Sequence, residues 1–504
     1  MSHITVSNLT FAYEGSYDTL FENVSFRLDT DWRLGFIGRN GRGKTTFLKL
    51  LMGRYEYRGS ISASVAFEYF PYEPEDISRT TFDALRGLCG GVPDWELVRE
   101  LSLLEVTEDA LYRPMDTLSG GERTKVMLAA LFLRENGFAL IDEPTNHLDR
   151  RGRELVSRYL SGKRGFILVS HDRAFLDGCV DHVLAINRAN IEVQRGNFSS
   201  WRENRRRQDA SELAENERLK KDIKRLEAAA RQSAQWADKV ERSKIGFDPS
   251  SREKAKDNRA YIGEKSRRMQ QRRKNLEKRQ HEGIEEKSRL LKNIENTDAL
   301  KLAPLTHHTG RLVQAEDLTL SYGGRAVCRG LSFTVERGRR AVLAGRNGSG
   351  KTSLLQCLLG QGRAEVAGRL SLASGLVISY VPQDTSFLRG DLSDFARAAG
   401  IDESLFKAIL RKLDFSRAQF DKPMERFSEG QKKKALLARS LCERAHLYIW
   451  DEPLNYVDVF SRMQIEALLR DTPDLTLLLV EHDRAFCEGL GAQEIALEPP
   501  DRLA

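Results

Sequence analysis

Residues 37–51 read "IGRNGRGKTTFLKLL", and residues 344–358 read "AGRNGSGKTSLLQCL". Each stretch contains G-x-x-x-x-G-K-T, from Gly38 to Thr45 and from Gly345 to Thr352. The spacing has a mechanical reason. Glycines let backbone N–H groups turn inward and wrap a phosphate at a helix N-terminus. Lys44 or Lys351 then reaches the β- and γ-phosphates, and the hydroxyl of Thr45 or Thr352 is placed for Mg2+. Asn40, Gly41, Gly43 and Thr46 belong to the first loop, and Asn347, Gly348, Gly350 and Ser353 to the second. A single match of this kind is explained as well by a plain glycine turn. Two matches call for a wider comparison.

The wider comparison shows that the chain repeats itself. "LSGGERTKVMLAALFL" at 118–133 returns as "FSEGQKKKALLARSL" at 427–441, and "FALIDEPTNHLD" at 138–149 as "LYIWDEPLNYVD" at 447–458. "VSHDRAF" at 169–175 returns as "VEHDRAF" at 480–486. Long repeats at a nearly constant offset mean two homologous domains and not a solenoid. In each copy an apolar strand ends in Asp-Glu. The aspartate (Asp142, Asp451) is placed to hold Mg2+, and the glutamate (Glu143, Glu452) to orient and polarise an attacking water. A histidine follows the next apolar strand (His171, His482), placed to bond a γ-phosphate. The same order of elements occurring twice makes coincidence negligible.

Bulk properties narrow the class. A chain of 504 residues has room for two or three domains. No run of 18 apolar residues is present, so a membrane span is not expected. The six cysteines are scattered without a CxxC pair, which suits a reducing cytoplasm. The net charge of +7 is unevenly placed: residues 201–300 hold 28 Lys and Arg against 19 Asp and Glu. A local excess of this size suggests a polyanionic partner, although most charge runs are simply solvated faces.

With "LSGGE" and the paired phosphate loops in place, the sequence resembles the ATP-binding cassette (ABC) ATPases along both repeats. The resemblance implies two α/β nucleotide-binding domains that sandwich two ATPs head to tail. Each signature then contacts the γ-phosphate bound by the other cassette. Ser119, Gly120 and Gly121 would thus serve the nucleotide on Lys351, and Ser428 and Gly430 the one on Lys44. It also implies that Tyr13 and Tyr322 stack on adenine, and that Gln383 of "YVPQD" helps to hold Mg2+. Two cassettes on one chain with a charged linker look like the ABC-F branch, whose members act on the ribosome. "NGRGKTTFL", "YFPYEPED", "DEPLNYVDVFSRMQIE" and "GQKKKALLARSL" look most like its Lsa-type antibiotic-resistance proteins. That resemblance implies protection of the peptidyl-transferase centre against lincosamides, streptogramin A compounds and pleuromutilins. The implied partners are large-subunit rRNA and peptidyl-tRNA, with neither a transmembrane partner nor DNA. The nearest rival is a general ABC-F translation factor without a resistance role.

Two positions depart from the superfamily pattern. Tyr72 in "YFPYE" stands where the second repeat has Gln383, and Glu429 in "FSEGQ" stands where glycine is usual. By the pairing rule both fall on the site built on Lys44. That site is expected to turn over slowly, because a carboxylate faces the γ-phosphate position and a side-chain amide is missing.

The linker follows its own pattern. Leu219, Ile223, Leu226, Ala230, Ala237 and Val240 recur at steps of four and three, apart from one filled by Ser233, which is a coiled-coil seam. Gly and Pro in "KIGFDPSS" then break the helix. We expect cassettes at 1–197 and 306–504, joined by a long antiparallel α-helical hairpin at 198–305 with its tip about 244–262. At 1.5 Å per residue its first arm would extend roughly 65 Å. The tip mixes Lys244, Arg252, Lys254, Lys256 and Arg259 with Ile245, Phe247 and Tyr261, and Arg267, Arg268, Arg272 and Arg273 follow. Basic and apolar side chains together suit RNA phosphates and unstacked bases. In the resembling family such a hairpin enters the exit-tRNA site.

Overall fold

The computed structural model describes residues 2–14, 19–72, 74, 76–89, 92–134, 136–186, 191–211 and 300–497. Between 212 and 299 it describes only 214, 217, 218, 221, 224 and 271. Most of the expected hairpin, including its tip and all of its candidate ribosome-contacting residues, therefore lies outside the described residues. Chain contacts group Met1–Trp201 with Thr297–Ala504 and set Arg202–Asn296 apart as a second unit. Within that second unit the described 202–211 is helical.

The first cassette is built on a six-stranded sheet. Its order is Ala66–Phe70, Gly137–Asp142, Phe166–Val169, Arg33–Gly38, His182–Ile186 and Ile191–Arg195, parallel except for the last strand. Phe166–Val169 is buried at every residue, as a strand covered on both faces must be. A three-stranded antiparallel sheet of Phe21–Asp29, His3–Phe11 and Arg58–Ser62 stands beside it. The second cassette repeats the plan with a five-stranded parallel sheet. Its order is Ile378–Val381, Leu447–Asp451, Leu477–Val480, Arg340–Ala344 and Gln493–Ala496.

In both sheets the strand that ends in Asp-Glu lies two places from the strand that feeds the phosphate loop. The loop, the Asp-Glu pair and the histidine after the intervening strand thus emerge at the same carboxyl edge. Ligands of open α/β sheets bind at this edge.

The cassettes share an interface. Val459 of the helix Val459–Asp471 joins the apolar core of the first cassette, with Phe460 and Met463 packed against it. Phe460 meets Trp201 edge-on at 5.9 Å, and the Arg39 guanidinium lies 5.7 Å from its ring centroid. Arg173 pairs with Glu466 at 2.6 Å, both almost fully buried. Among the described residues, no helix is long and apolar enough to cross a membrane.

Candidate nucleotide sites

The helices Lys44–Leu51 and Lys351–Leu358 each begin after a left-handed glycine, Gly43 at φ 87° and Gly350 at φ 86°. A Cβ on Gly43 would come within 2.6 Å of Leu20, so the loop closes only with glycine there. Lys44 Nζ donates to the carbonyls of Gly38 (2.8 Å) and Arg39 (3.3 Å). Lys351 Nζ does the same with Gly345 (2.9 Å) and Arg346 (3.0 Å). Both ammoniums are folded over their own loops, and burial pulls the pKa of each below the usual lysine value. The aromatic rims are alike: Tyr13 Oη bonds Thr46 Oγ1 at 2.6 Å and Tyr322 Oη donates to Ser353 Oγ at 3.1 Å. Both tyrosines are exposed, at 46% and 39%.

One cavity joins the cassettes. Tyr13, Asn40, Gly41, Gly43, Lys44, Thr45, Thr46, Asp142, Glu143 and His171 line it from the first cassette. Ser428, Glu429, Gly430 and Tyr456 line it from the second. Asn40 Nδ2 donates to the Tyr456 carbonyl at 2.8 Å, and Asn347 Nδ2 reaches the His147 carbonyl at 3.4 Å in the pseudo-symmetric place. Gly120 and Gly121 pack on that same His147, so the first signature stands beside the Lys351 loop. Ser119 and Ser428 each cap their helix through a capping box, with Glu122 and Gln431 as partners.

The acidic pairs differ between the sites. Thr45 Oγ1 donates to Asp142 Oδ2 at 2.7 Å, and Tyr69 Oη donates to the same oxygen at 3.0 Å. Asp451 is fully buried beside Thr352, neither of its carboxylate oxygens has a well-formed hydrogen bond, and burial pushes its pKa up to about 6. Glu143 and Glu452 both adopt positive φ, 50° and 48°, which turns each side chain off the end of its strand. Glu452 accepts from Gln383 Nε2 (2.7 Å) and Asn455 Nδ2 (2.6 Å), with His482 Nε2 at 3.5 Å. Burial alone would raise its carboxyl, but the neighbouring His482, the Gln383 bond and the Lys433 charge together outweigh burial and hold it below the usual range. Glu143 Oε1 lies 3.2 Å from His171 Nε2 without a well-formed hydrogen bond. Burial and then the Asp142 charge push the Glu143 carboxyl well above the usual range. Burial also holds His171 far below the ordinary histidine value, hence neutral.

Tyr72 packs against the apolar core of its own cassette, so that a phenol stands where the second cassette has the Gln383 amide. Glu429, expected to face a phosphate with a bare carboxylate, is instead held by Thr385 Oγ1 (2.5 Å) and Lys432 Nζ (2.9 Å). Sequence reasoning missed Tyr69, Asn455 and Tyr456. The repeated "YFP" and "YVP" triplets mark the first of these, and the repeated "DEP-x-N" marks the second. Tyr456 contributes a backbone carbonyl, for which a sequence carries no signal.

The sheet order, the paired loops and the shared cavity define an ABC-type ATPase with two cassettes. The sequence profile of the ABC transporter family matches residues 21–146 and 328–455. The chain belongs to this family, its cassettes bind ATP, and it is an ATPase. It is 30% identical over 496 residues to "Ribosome protection protein VmlR" of Bacillus subtilis, covering 96% of this chain and 85% of that one. It is also 30% identical to "ATP-binding protein Uup" of Caulobacter vibrioides, covering 95% and 75%. Among solved structures, a crystal structure of an archaeal ribosome recycling factor with a ribosomal stalk protein aligns at TM-score 0.62 and 18% identity. The alignment covers 98% of this chain and 90% of that one, and at that identity it bears on fold alone.

Proposed function

We propose that this chain is an ATP-driven ribosome-binding protein of the ABC-F branch and Lsa type. It shields the peptidyl-transferase centre from lincosamides, streptogramin A compounds and pleuromutilins. Cassettes at 1–197 and 306–504 act as a clasp, and the basic linker at 198–305 enters the exit-tRNA site toward rRNA and peptidyl-tRNA. One observation carries the reading: a relation across 96% of the chain to a protein named for ribosome protection. A protein of this kind works in the cytoplasm.

At each site the backbone N–H groups of the glycine loop and the lysine hold the β- and γ-phosphates, and Tyr13 or Tyr322 meets the adenine. The opposite signature serine and glycines close over the γ-phosphate. Glu452 orients and deprotonates the attacking water, and His482 holds Glu452 in place. Glu143 and His171 hold the matching places at the first site, where a carboxyl pushed towards its neutral acid serves only slow turnover. The residues present fit Mg2+: Asp451 is a buried carboxylate without a well-formed hydrogen bond beside the Thr352 hydroxyl, Gln383 bonds the adjacent Glu452, and Asp142 stands with Thr45. When bound there, the ion neutralises phosphate charge as it builds on the leaving group.

The test is co-sedimentation with bacterial ribosomes in ATP, with and without drug, alongside drug susceptibility of an expressing host. A second reading, a general translation factor without a resistance role, is favoured by the equal identity to Uup, whose name records only ATP binding. Ribosome binding without any gain in drug tolerance would select it.

A further inference from the structure

The two cassettes differ at three positions that come together in space. In the second, Thr385 Oγ1 donates to Glu429 Oε2 at 2.5 Å, which ties the loop after Gln383 to the signature turn. Lys433, almost fully buried, anchors the same two elements. Its ammonium donates to the Pro382 carbonyl at 2.9 Å and to the Asp451 carbonyl at 3.3 Å. In the first cassette the repeat places Pro74, Gly120 and Thr124 at these positions. Pro74 has no hydroxyl to donate, Gly120 has no carboxylate to accept, and Thr124 is too short to span the gap that Lys433 spans. Every part of the link is absent from one cassette and present in the other.

The two ends of the link face different nucleotides. Gln383 bonds Glu452 and so belongs to the Lys351 site. Ser428, Glu429 and Gly430 line the cavity of Lys44. The signature turn has little freedom to drift, since a Cβ on Gly430 would come within 2.3 Å of the Tyr456 carbonyl. A shift of the Gln383 loop is therefore passed to a turn already in tight contact.

We propose that Glu429 is a positioning residue which, through Thr385, fastens the signature turn over the Lys44 nucleotide to the Gln383 loop of the Lys351 site. Occupancy of the second site then sets ATP affinity at the first. The proposal rests on both sites binding ATP. Coupling of this kind is reciprocal in binding, and five- to about hundredfold effects are common.

The experiment uses the full chain in a Glu143→Gln, Glu452→Gln background, so that ATP binds without turnover. Photolabelling with 8-azido-ATP, read separately on the peptides containing Tyr13 and Tyr322, gives the affinity of each site. Lys351→Ala should abolish labelling near Tyr322 and weaken labelling near Tyr13 by about tenfold. In a Thr385→Val or Glu429→Ala chain the same Lys351→Ala change should alter the Tyr13 signal less than twofold. Thr385→Ser, which keeps the hydroxyl, should restore the full dependence; a merely structural role would not show this pattern. A tenfold dependence that persists in Thr385→Val overturns the link, as does a parent chain with independent sites. Labelling near Tyr322 that survives Lys351→Ala contradicts the reading of the sites themselves, a different and separable failure.

Discussion

Asn40 of the first cassette donates its side-chain amide to the backbone carbonyl of Tyr456 in the second, at 2.8 Å. The matching bond, from Asn347 to the His147 carbonyl, is longer at 3.4 Å. These bonds run from one phosphate loop to the segment just after the opposite Asp-Glu pair. They make closure of the cassettes part of each site. The difference in length is the first sign that the two halves are not equivalent.

Asn40→Ala removes the shorter bond and leaves the Tyr456 carbonyl without its donor. A single hydrogen bond contributes roughly 0.5–1.5 kcal/mol net, which is roughly a two- to tenfold change in an equilibrium constant. The ATP concentration for half-maximal turnover should rise by that factor, and less for Asn347→Ala. Steady-state ATPase titrations of the two variants decide the order.

The glutamates should be unequal as well. Glu452 is held ionised by Gln383, Asn455 and His482, whereas Glu143 is pushed towards its neutral acid by burial and Asp142. A general base contributes typically about a hundredfold or more. Glu452→Gln should thus reduce ATPase at least tenfold, and Glu143→Gln only a few-fold, because an amide differs little from a protonated carboxyl. A larger loss from Glu143→Gln would show that the Lys44 site carries the turnover.

Much of this was legible in the sequence. Gly43 and Gly350 are tied to one geometry by their positive φ, and it is the repetition of the motif around them that sets it apart from a plain glycine turn. Acceptors such as the Tyr456 carbonyl are independent of side-chain identity and leave no mark. The run Lys432–Lys433–Lys434 carries no mark of its burial, since three successive lysines suit a solvated face equally well. Lys433 and Lys434 are instead 2% and 3% exposed, because the helix Glu429–Cys442 carries them beneath the Gln383 loop and against Asp458. Glu429 looked like a lone carboxylate for the same reason: its partner Thr385 lies 44 residues away.

Lys434 Nζ meets Asp458 Oδ2 at 2.6 Å, with the aspartate fully buried. Burial alone would raise the Asp458 carboxyl, but the Lys434 charge and hydrogen bond, together with the Ser461 backbone N–H, outweigh it and hold the group well below the usual range. Lys434→Met strands that charge and should destabilise the chain by about 3–5 kcal/mol in denaturant unfolding at pH 7. A carboxyl depressed in the fold stabilises above its unfolded pKa and loses that contribution as pH falls. The gap between parent and variant should therefore narrow below about pH 4.

The linker arginines bear on the partner. Neutralising Arg267, Arg268, Arg272 and Arg273 should weaken ribosome binding most at low salt and flatten its salt dependence. At about 0.7 per single-strand phosphate contact, the log–log slope should fall by about 3. Basal ATPase of the free protein should be unchanged. An unaltered slope would place the phosphate contacts elsewhere on the chain.

The most direct test of the clasp is ribosome co-sedimentation of the Glu143→Gln, Glu452→Gln protein in ATP. Both sites then hold ATP without turnover, so the closed, ribosome-bound state should accumulate. The doubly changed protein should pellet with ribosomes far more completely than the parent, and removal of ATP should abolish the difference. If it pellets no better than the parent in ATP, closure of the cassettes does not drive ribosome binding and the account is wrong.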